Sequence, residues 1–278
     1  MLLGAHVPIA DPPAAAAERA AEVVQVFLSS PRRWAPPKPQ AGPWTVPASQ
    51  LPRFVHSPYL LNLASPDEQV RTRSLTLLQA TCTAAEAIGA LGVVVHGGQL
   101  GAGEDPALGP ARWRQALAQL ETTVPVLVED TAGGPHAVAS TVERIARLWA
   151  GLHDVPVPLG FCLDTCHLHA AGEPLVAGTE RLLAELGRID LVHVNDSKDP
   201  LGSGRDRHEN LGAGQLDPSE LLAALELADA PAVVETPGGA EQQAADLAWL
   251  RARLPGADPK RRRRGPIAPG SLLEKDRG

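Results

Sequence analysis

The sequence predicts a (β/α)8 TIM barrel forming one domain over residues 1–256, and three observations carry that prediction. Eight short runs rich in apolar and β-branched residues recur along the chain, and segments of helical periodicity lie between them. A chain of 278 residues that is 44% hydrophobic can also bury one large core. Near-continuous apolar strands alternating with helices indicate a parallel sheet covered on both faces. Eight such strands within about 255 residues indicate closure into a barrel, with an open doubly wound sheet as the rival.

Taken in order, strands are expected at 2–7, 23–28, 53–56, 92–96, 125–129, 159–164, 190–195 and 231–236. Helical patterns fall at 66–91, 110–121, 140–152, 179–189, 217–228 and 240–254. One connection is irregular. Residues 35–52 hold six prolines, so the helix after the second strand is expected to be shortened or absent. Residues 257–278 read as a basic, disordered tail, and no internal repeat is visible.

Composition narrows the function classes. Three cysteines without a CxxC pair suit a reducing compartment and argue against a disulfide framework. No apolar leader opens the chain and no apolar run nears the ~20 residues that span a bilayer, so a cytoplasmic protein with no membrane attachment is expected. A barrel of this size can stand alone as a monomer. The net charge is −7, yet residues 259–278 carry seven basic against two acidic groups. The other 258 residues therefore hold 18 basic against 30 acidic groups, an excess that by itself speaks against nucleic acid as a partner.

In a parallel barrel, chemistry collects at the carboxyl ends of the strands. Strands three to eight end on His56, His96, Glu129, Asp164, His193 and Glu235. A single buried imidazole or carboxylate is more often a hydrogen-bonded core group, because burial costs free energy unless the group is paired or metal-bound. Six at the same end of consecutive strands are more economically explained by one shared ion centre. Two further pieces add three ligands. His167 follows Asp164 by three residues in D-T-C-H, where strand turns into loop. Asp206 and His208 are two apart, which places them on one side of an extended segment flanked by Gly202, Gly204, Gly212 and Gly214. Imidazoles and carboxylates without thiolate suit zinc in a hydrolytic site, with manganese or iron also compatible. The remaining candidates read differently. His136 and His153 are solvated loop residues, and His169 is either exposed or a support to its neighbours. His6 is divided between core packing and support of a ligand, and Cys166 is a buried spectator.

The blocks HSPYLLNL (56–63), VVHGG (94–98), EDTAGG (129–134), CLDTCHLHAAG (162–172), HVNDSK (193–198), GSGRDRHENLGAG (202–214) and VVETP (233–237) resemble the endonuclease IV family of apurinic/apyrimidinic endonucleases. The resemblance runs over residues 2–254 and implies three zinc ions. His56, His96 and Glu129 would hold the first. Glu129 would bridge to the second, completed by Asp164, His193 and Glu235, and His167, Asp206 and His208 would hold the third. The implied activity is hydrolysis of the phosphodiester 5′ to an abasic site in duplex DNA, leaving a 3′-hydroxyl and a 5′-deoxyribose phosphate, and it extends to removal of 3′ blocking groups. Arg32, Tyr59 and Leu60 occupy the places that enter the DNA stack around an extruded nucleotide.

The implied ions also bear on the charge. Four ligand carboxylates, three zinc ions and one hydroxide sum to about +1, where the carboxylates alone give about −4, so the ions reverse the local field. Arg32, Arg33, Lys198, Arg205 and Arg207 are rim candidates for phosphate contact, though each taken singly is an ordinary solvated charge. The chain departs from the family pattern at Ser30 and Asp130, where asparagine is usual, which touches the recognition loop and the metal surroundings. A sugar isomerase or epimerase on the same barrel is the alternative reading. It would share Glu129, Asp164, His193 and Glu235 but needs no D-R-H segment.

Overall fold

Near-continuous apolar runs bury both faces of most predicted strands, as a barrel wall requires. In the computed structural model, which describes residues 1–38, 44 and 46–254, these runs become β1 (Leu3–His6), β2 (Val23–Val26), β3 (Arg53–His56), β4 (Val93–His96), β5 (Val126–Glu129), β6 (Leu159–Asp164) and β7 (Leu191–His193). A short antiparallel hairpin follows, β8 (Asp196–Ser197) with β9 (His208–Glu209), and then β10 (Ala232–Val234). Eight of these strands form a closed parallel barrel in the order β1-β10-β7-β6-β5-β4-β3-β2. β1 closes it, since Gly4 pairs with Val23 of β2 on one side and with Val233 of β10 on the other. Gly4 must be glycine there: a Cβ would lie 1.7 Å from the Val23 carbonyl oxygen.

The helices are α1 (Pro12–Arg19), α2 (Glu68–Ala87), α3 (Leu108–Leu117), α4 (Val142–Ala150), α5 (Thr165–Ala170), α6 (Leu175–Leu186), α7 (Pro218–Ala228) and α8 (Ala240–Arg253). Several begin at a side-chain cap that satisfies free backbone amides, as Asp67 does for Gln69 and Val70 and Asp217 for Ser219 and Glu220. Between β2 and β3 no helix forms among the described residues, in line with the proline content. Buried Arg53 holds this connection, donating to the carbonyls of Leu51 and Val46 and stacking 4.1 Å from the Trp44 ring. The basic tail and the domain limit at 256 lie outside the described residues.

Three local features go beyond the sequence reading. Helix α1 starts on two prolines, whose fixed φ suits a first helical turn. The D-T-C-H segment does not run into loop. Asp164 instead accepts from the Cys166 and His167 amides and caps the six-residue helix α5, which carries His167 and His169. The D-R-H segment enters β9 at His208, paired with Ser197.

The outer faces of the strands pack against the helices in one large core. A smaller cluster of Val23, Phe54, Val94, Leu127, Cys162, Leu191 and Val233 fills the barrel interior. Side chains two apart on a strand share a face. The residues two further on are Gln25, His56, His96, Glu129, Asp164, His193 and Glu235, and Gly4 is likewise followed by His6. One step toward the carboxyl ends, the apolar interior thus becomes a ring of eight polar side chains, seven from strands and Glu235 from the residue directly after β10.

Candidate metal centre

The ring and its neighbouring loops bring the predicted residues into three groups whose ligand atoms lie within 4.8 Å of one another: His56, His96 and Glu129; Glu129, Asp164, His193 and Glu235; and His167, Asp206 and His208. Glu129 belongs to two of them through different oxygens. Its Oε2 faces His56 Nε2 at 3.2 Å and His96 Nε2 at 3.0 Å, while Oε1 faces His193 Nδ1 at 2.9 Å. Asp164 Oδ2 connects the second and third groups, 3.9 Å from His193 Nδ1 and 3.6 Å from His208 Nε2. In the third group, Asp206 spans its partners, with Oδ2 3.3 Å from His167 Nε2 and Oδ1 3.0 Å from His208 Nε2.

The ring nitrogens facing outward decide what the inward ones can do. A carbonyl oxygen can only accept, so a ring nitrogen hydrogen-bonded to one carries the proton. His56 Nδ1 donates to the Ser57 carbonyl at 2.6 Å, His167 Nδ1 to the Asp130 carbonyl at 2.9 Å and His208 Nδ1 to the Glu235 carbonyl at 3.3 Å. His193 uses its other nitrogen, Nε2 donating to Gln25 Oε1 at 2.9 Å. In the neutral form, each of these four rings therefore points a lone pair at a carboxylate. Two electron-rich groups at such distances need a cation between them, either a proton or a metal ion. His208 Nε2 shows the mismatch directly: it is buried, lies 3.0 Å from Asp206 Oδ1, and makes no aligned hydrogen bond. The donor set fits ions that prefer imidazole and carboxylate, zinc foremost.

Electrostatics agree. Burial acts to raise the Glu129 carboxyl, but His96 and His193 with hydrogen bonds from His193 and His56 hold it well below the usual carboxylate range. Burial similarly opposes the charged form of His208, yet the nearby Asp164 and Asp206 lift its pKa to about 9. The site is thus built for positive charge.

Residues that the sequence reading did not single out hold this arrangement. Gln25 also donates to Glu235 Oε1 at 2.7 Å. Asn195 donates to Asp164 Oδ2 at 2.8 Å and accepts from the Glu235 amide at 2.9 Å. A polar residue inside the apolar run VVQVF was the available signal for Gln25. His6 acts as support, its Nδ1 2.8 Å from Glu235 Oε1. Asp130 accepts from the Asp164 amide at 2.6 Å, and burial pushes its carboxyl well above the ordinary range. Burial pushes the Cys166 thiol up to about 12, which disfavours the thiolate, and its sulfur lies within 4.8 Å of ligand atoms of Asp164 and His208.

At the rim, Tyr59 is 50% exposed, with its ring stacked 5.9 Å from His96 and edge-on to Phe27 at 5.1 Å. Its amide donates to the Pro31 carbonyl, which sets the Arg32 loop beside it, and Leu60 is half-buried. Arg32 and Arg33 are exposed and make no ion pair among the described residues. Three other rim cations are already engaged. Arg205 and Arg207 both bind Asp199, and Lys198 lies 4.0 Å from Glu209. His169, on α5, is buried and donates through Nε2 to the Asp199 carbonyl, whereas His153 is exposed beside Asp154.

The model of the xylose isomerase-like TIM barrel family matches residues 13–253. Over 254 residues the chain is 54% identical to the probable endonuclease 4 of Mycobacterium marinum, covering 91% of this chain and 99% of that one. The crystal structure of endonuclease IV from Thermus thermophilus superposes with a TM-score of 0.75 at 31% identity, covering 91% of this chain and 98% of the other. A D-tagatose 3-epimerase-like protein superposes with a TM-score of 0.72 at 16% identity, covering 91% and 96%, and at that identity it shows a shared fold alone. From these matches, the chain belongs to the xylose isomerase-like TIM barrels and, among them, to the endonuclease IV family.

Proposed function

We propose that this enzyme is a zinc-dependent DNA-repair endonuclease that hydrolyses the phosphodiester 5′ to abasic sites in duplex DNA, leaving a 3′-hydroxyl and a 5′-deoxyribose phosphate. Blocked 3′ ends are a second substrate of the same cleft. The observation that carries the reading is the set of inward lone pairs on His56, His167, His193 and His208, each facing a carboxylate. His56, His96 and Glu129 would hold one ion, Glu129, Asp164, His193 and Glu235 a second, and His167, Asp206 and His208 a third.

Bound ions supply Lewis-acid activation of water and neutralisation of phosphate charge. The protein's own groups do the rest. Glu129 presents one oxygen to each of two groups and so fixes their spacing. Gln25 and the Ser57, Asp130 and Glu235 carbonyls lock the imidazole protons outward. No serine or cysteine nucleophile is required, in keeping with the raised Cys166 thiol. Arg32, Tyr59 and Leu60 would contact the DNA around the lesion, an aromatic ring and a cation replacing the stacking of an extruded nucleotide. A sugar isomerase would leave the group of His167, Asp206 and His208 without a use. A DNA substrate puts the enzyme in the cytoplasm, at the nucleoid when acting, and it works as a monomer.

The test combines elemental analysis of the purified protein with nicking of a duplex carrying one abasic site. Three zinc ions per chain and a nick with a 3′-hydroxyl end are expected. Fewer ions, or an uncut lesion, would count decisively against the reading.

A further inference from the structure

The segment R-D-R-H (205–208) sends alternate side chains in opposite directions. Asp206 and His208 turn toward His167 and Asp164. Arg205 and Arg207 turn the other way, onto one carboxylate. Arg207 Nε donates to Asp199 Oδ2 at 2.6 Å and Nη2 to Oδ1 at 2.5 Å, while Arg205 Nη1 reaches Oδ1 at 3.4 Å. The arginine side chains are 55% and 67% exposed, but the Asp199 side chain is only 6% exposed. An exposed arginine pair alone contributes little. A buried carboxylate gripped by a planar fork has a defined geometry.

Asp199 is itself fixed to the helix that carries His167. Its carbonyl accepts from His169 Nε2 at 3.1 Å, and farther along the same loop the Gly202 and Gly204 amides donate to the carbonyls of His169 and Ala170 at 3.0 and 2.9 Å. The Lys198 amide closes the strap onto the Arg207 carbonyl at 3.0 Å. All three side chains of the third group therefore hang from one frame built on α5.

We propose that Asp199 is a positioning residue for the third ion: by holding Arg205 and Arg207 it turns Asp206 and His208 of the same strap toward His167. The proposal rests on the metal-centre reading above. It assigns the two arginines to this clamp and not to phosphate contact, and it predicts that losing the clamp releases one ion selectively. Groups that orient metal ligands typically change affinity by roughly 10- to 100-fold when removed.

The test titrates zinc alone into chelator-stripped wild type, Asp199→Asn, Arg207→Gln and the double variant, against a chromophoric chelator, with elemental analysis after desalting. Wild type should retain three ions. Each variant should keep the two tightest at wild-type affinity and bind the last one roughly 10- to 100-fold more weakly. The double variant should do no worse than Asp199→Asn alone, since losing the carboxylate already frees both arginines. Hydrogen exchange at the Gly202 and Gly204 amides should quicken in parallel. Variants that hold three ions at wild-type affinity, or weaken all three alike, overturn the clamp. Wild type with fewer than three ions instead overturns the metal centre. Arg207→Gln, at a half-exposed side chain, keeps the test decisive where loss of the buried Asp199 prevents folding.

Discussion

The side-chain amide of Gln25 bridges two candidate ligands, accepting from His193 Nε2 at 2.9 Å and donating to Glu235 Oε1 at 2.7 Å. Its oxygen forces the His193 proton outward and leaves Nδ1 for the cluster. Gln25→Leu keeps the volume and removes both bonds. Affinity for the ion shared by Asp164, His193 and Glu235 should fall roughly 10- to 100-fold, read by competition with a chelator. Unchanged affinity would show that His193 orients without Gln25.

His208→Ala removes the ring whose buried Nε2 lacks an aligned partner. Cutting at an abasic site should slow at least about 100-fold, the scale of losing one preorganised electrostatic group. The barrel should remain folded by circular dichroism, because His208 lies on a two-residue strand outside it. Near-normal turnover would refute its role as a ligand.

Tyr59→Ala separates recognition from chemistry. The ring stands half exposed beside His96 without belonging to any of the three groups. Stacking on one base is worth about 1–3 kcal/mol, so preference for abasic over intact duplex should drop about tenfold or more. Hydrolysis of a small phosphodiester should change much less. Equal losses on both substrates would place Tyr59 in the hydrolytic machinery instead.

Glu104 links the loop after β4 to α3. Its hydrogen bonds with Arg112, followed by one from the Gly101 amide, lower its pKa to about 2. The folded value lies below the unfolded one of about 4.3. Ionised Glu104 therefore stabilises the fold above that value, and the contribution disappears as pH falls through about 2. Melting of wild type and Glu104→Gln from pH 7 downward should show a gap that closes toward pH 2. A gap independent of pH would mean the pair acts through packing alone.

How legible this was depended on pattern length. Strands at 53–56 and 159–164 match their predicted bounds: LGFCLD is an apolar run closed by one polar residue, and RFVH is a short apolar pair after Pro52 that ends on His56. Helix α5 was hidden: all six of its residues are buried, so it has no amphipathic period to read. Helix α1 was masked by prolines and a run of alanines. The hairpin of β8 and β9 has two residues per strand, too few to show alternation. Likewise, the nine candidate ligands stood out by type and spacing, whereas the roles of Gln25 and Asn195 are set by partners distant in sequence, and that of Asp199 by the turn that folds Arg205 and Arg207 back onto it. Arg205 and Arg207 illustrate the limit. Composition marks them as free cations, and only the fold supplies the buried acid they grip.

The alternation along the R-D-R-H strap makes this stretch sensitive to reading frame in a way few surface loops are. Loops ordinarily tolerate insertions and deletions. Here one residue gained or lost within Arg205–His208 would break the alternation, so that ligands and guanidinium groups could no longer face opposite sides at once. Drift in this segment should therefore proceed by substitution at fixed length, and grafting the site onto another barrel requires copying the spacing before the side chains.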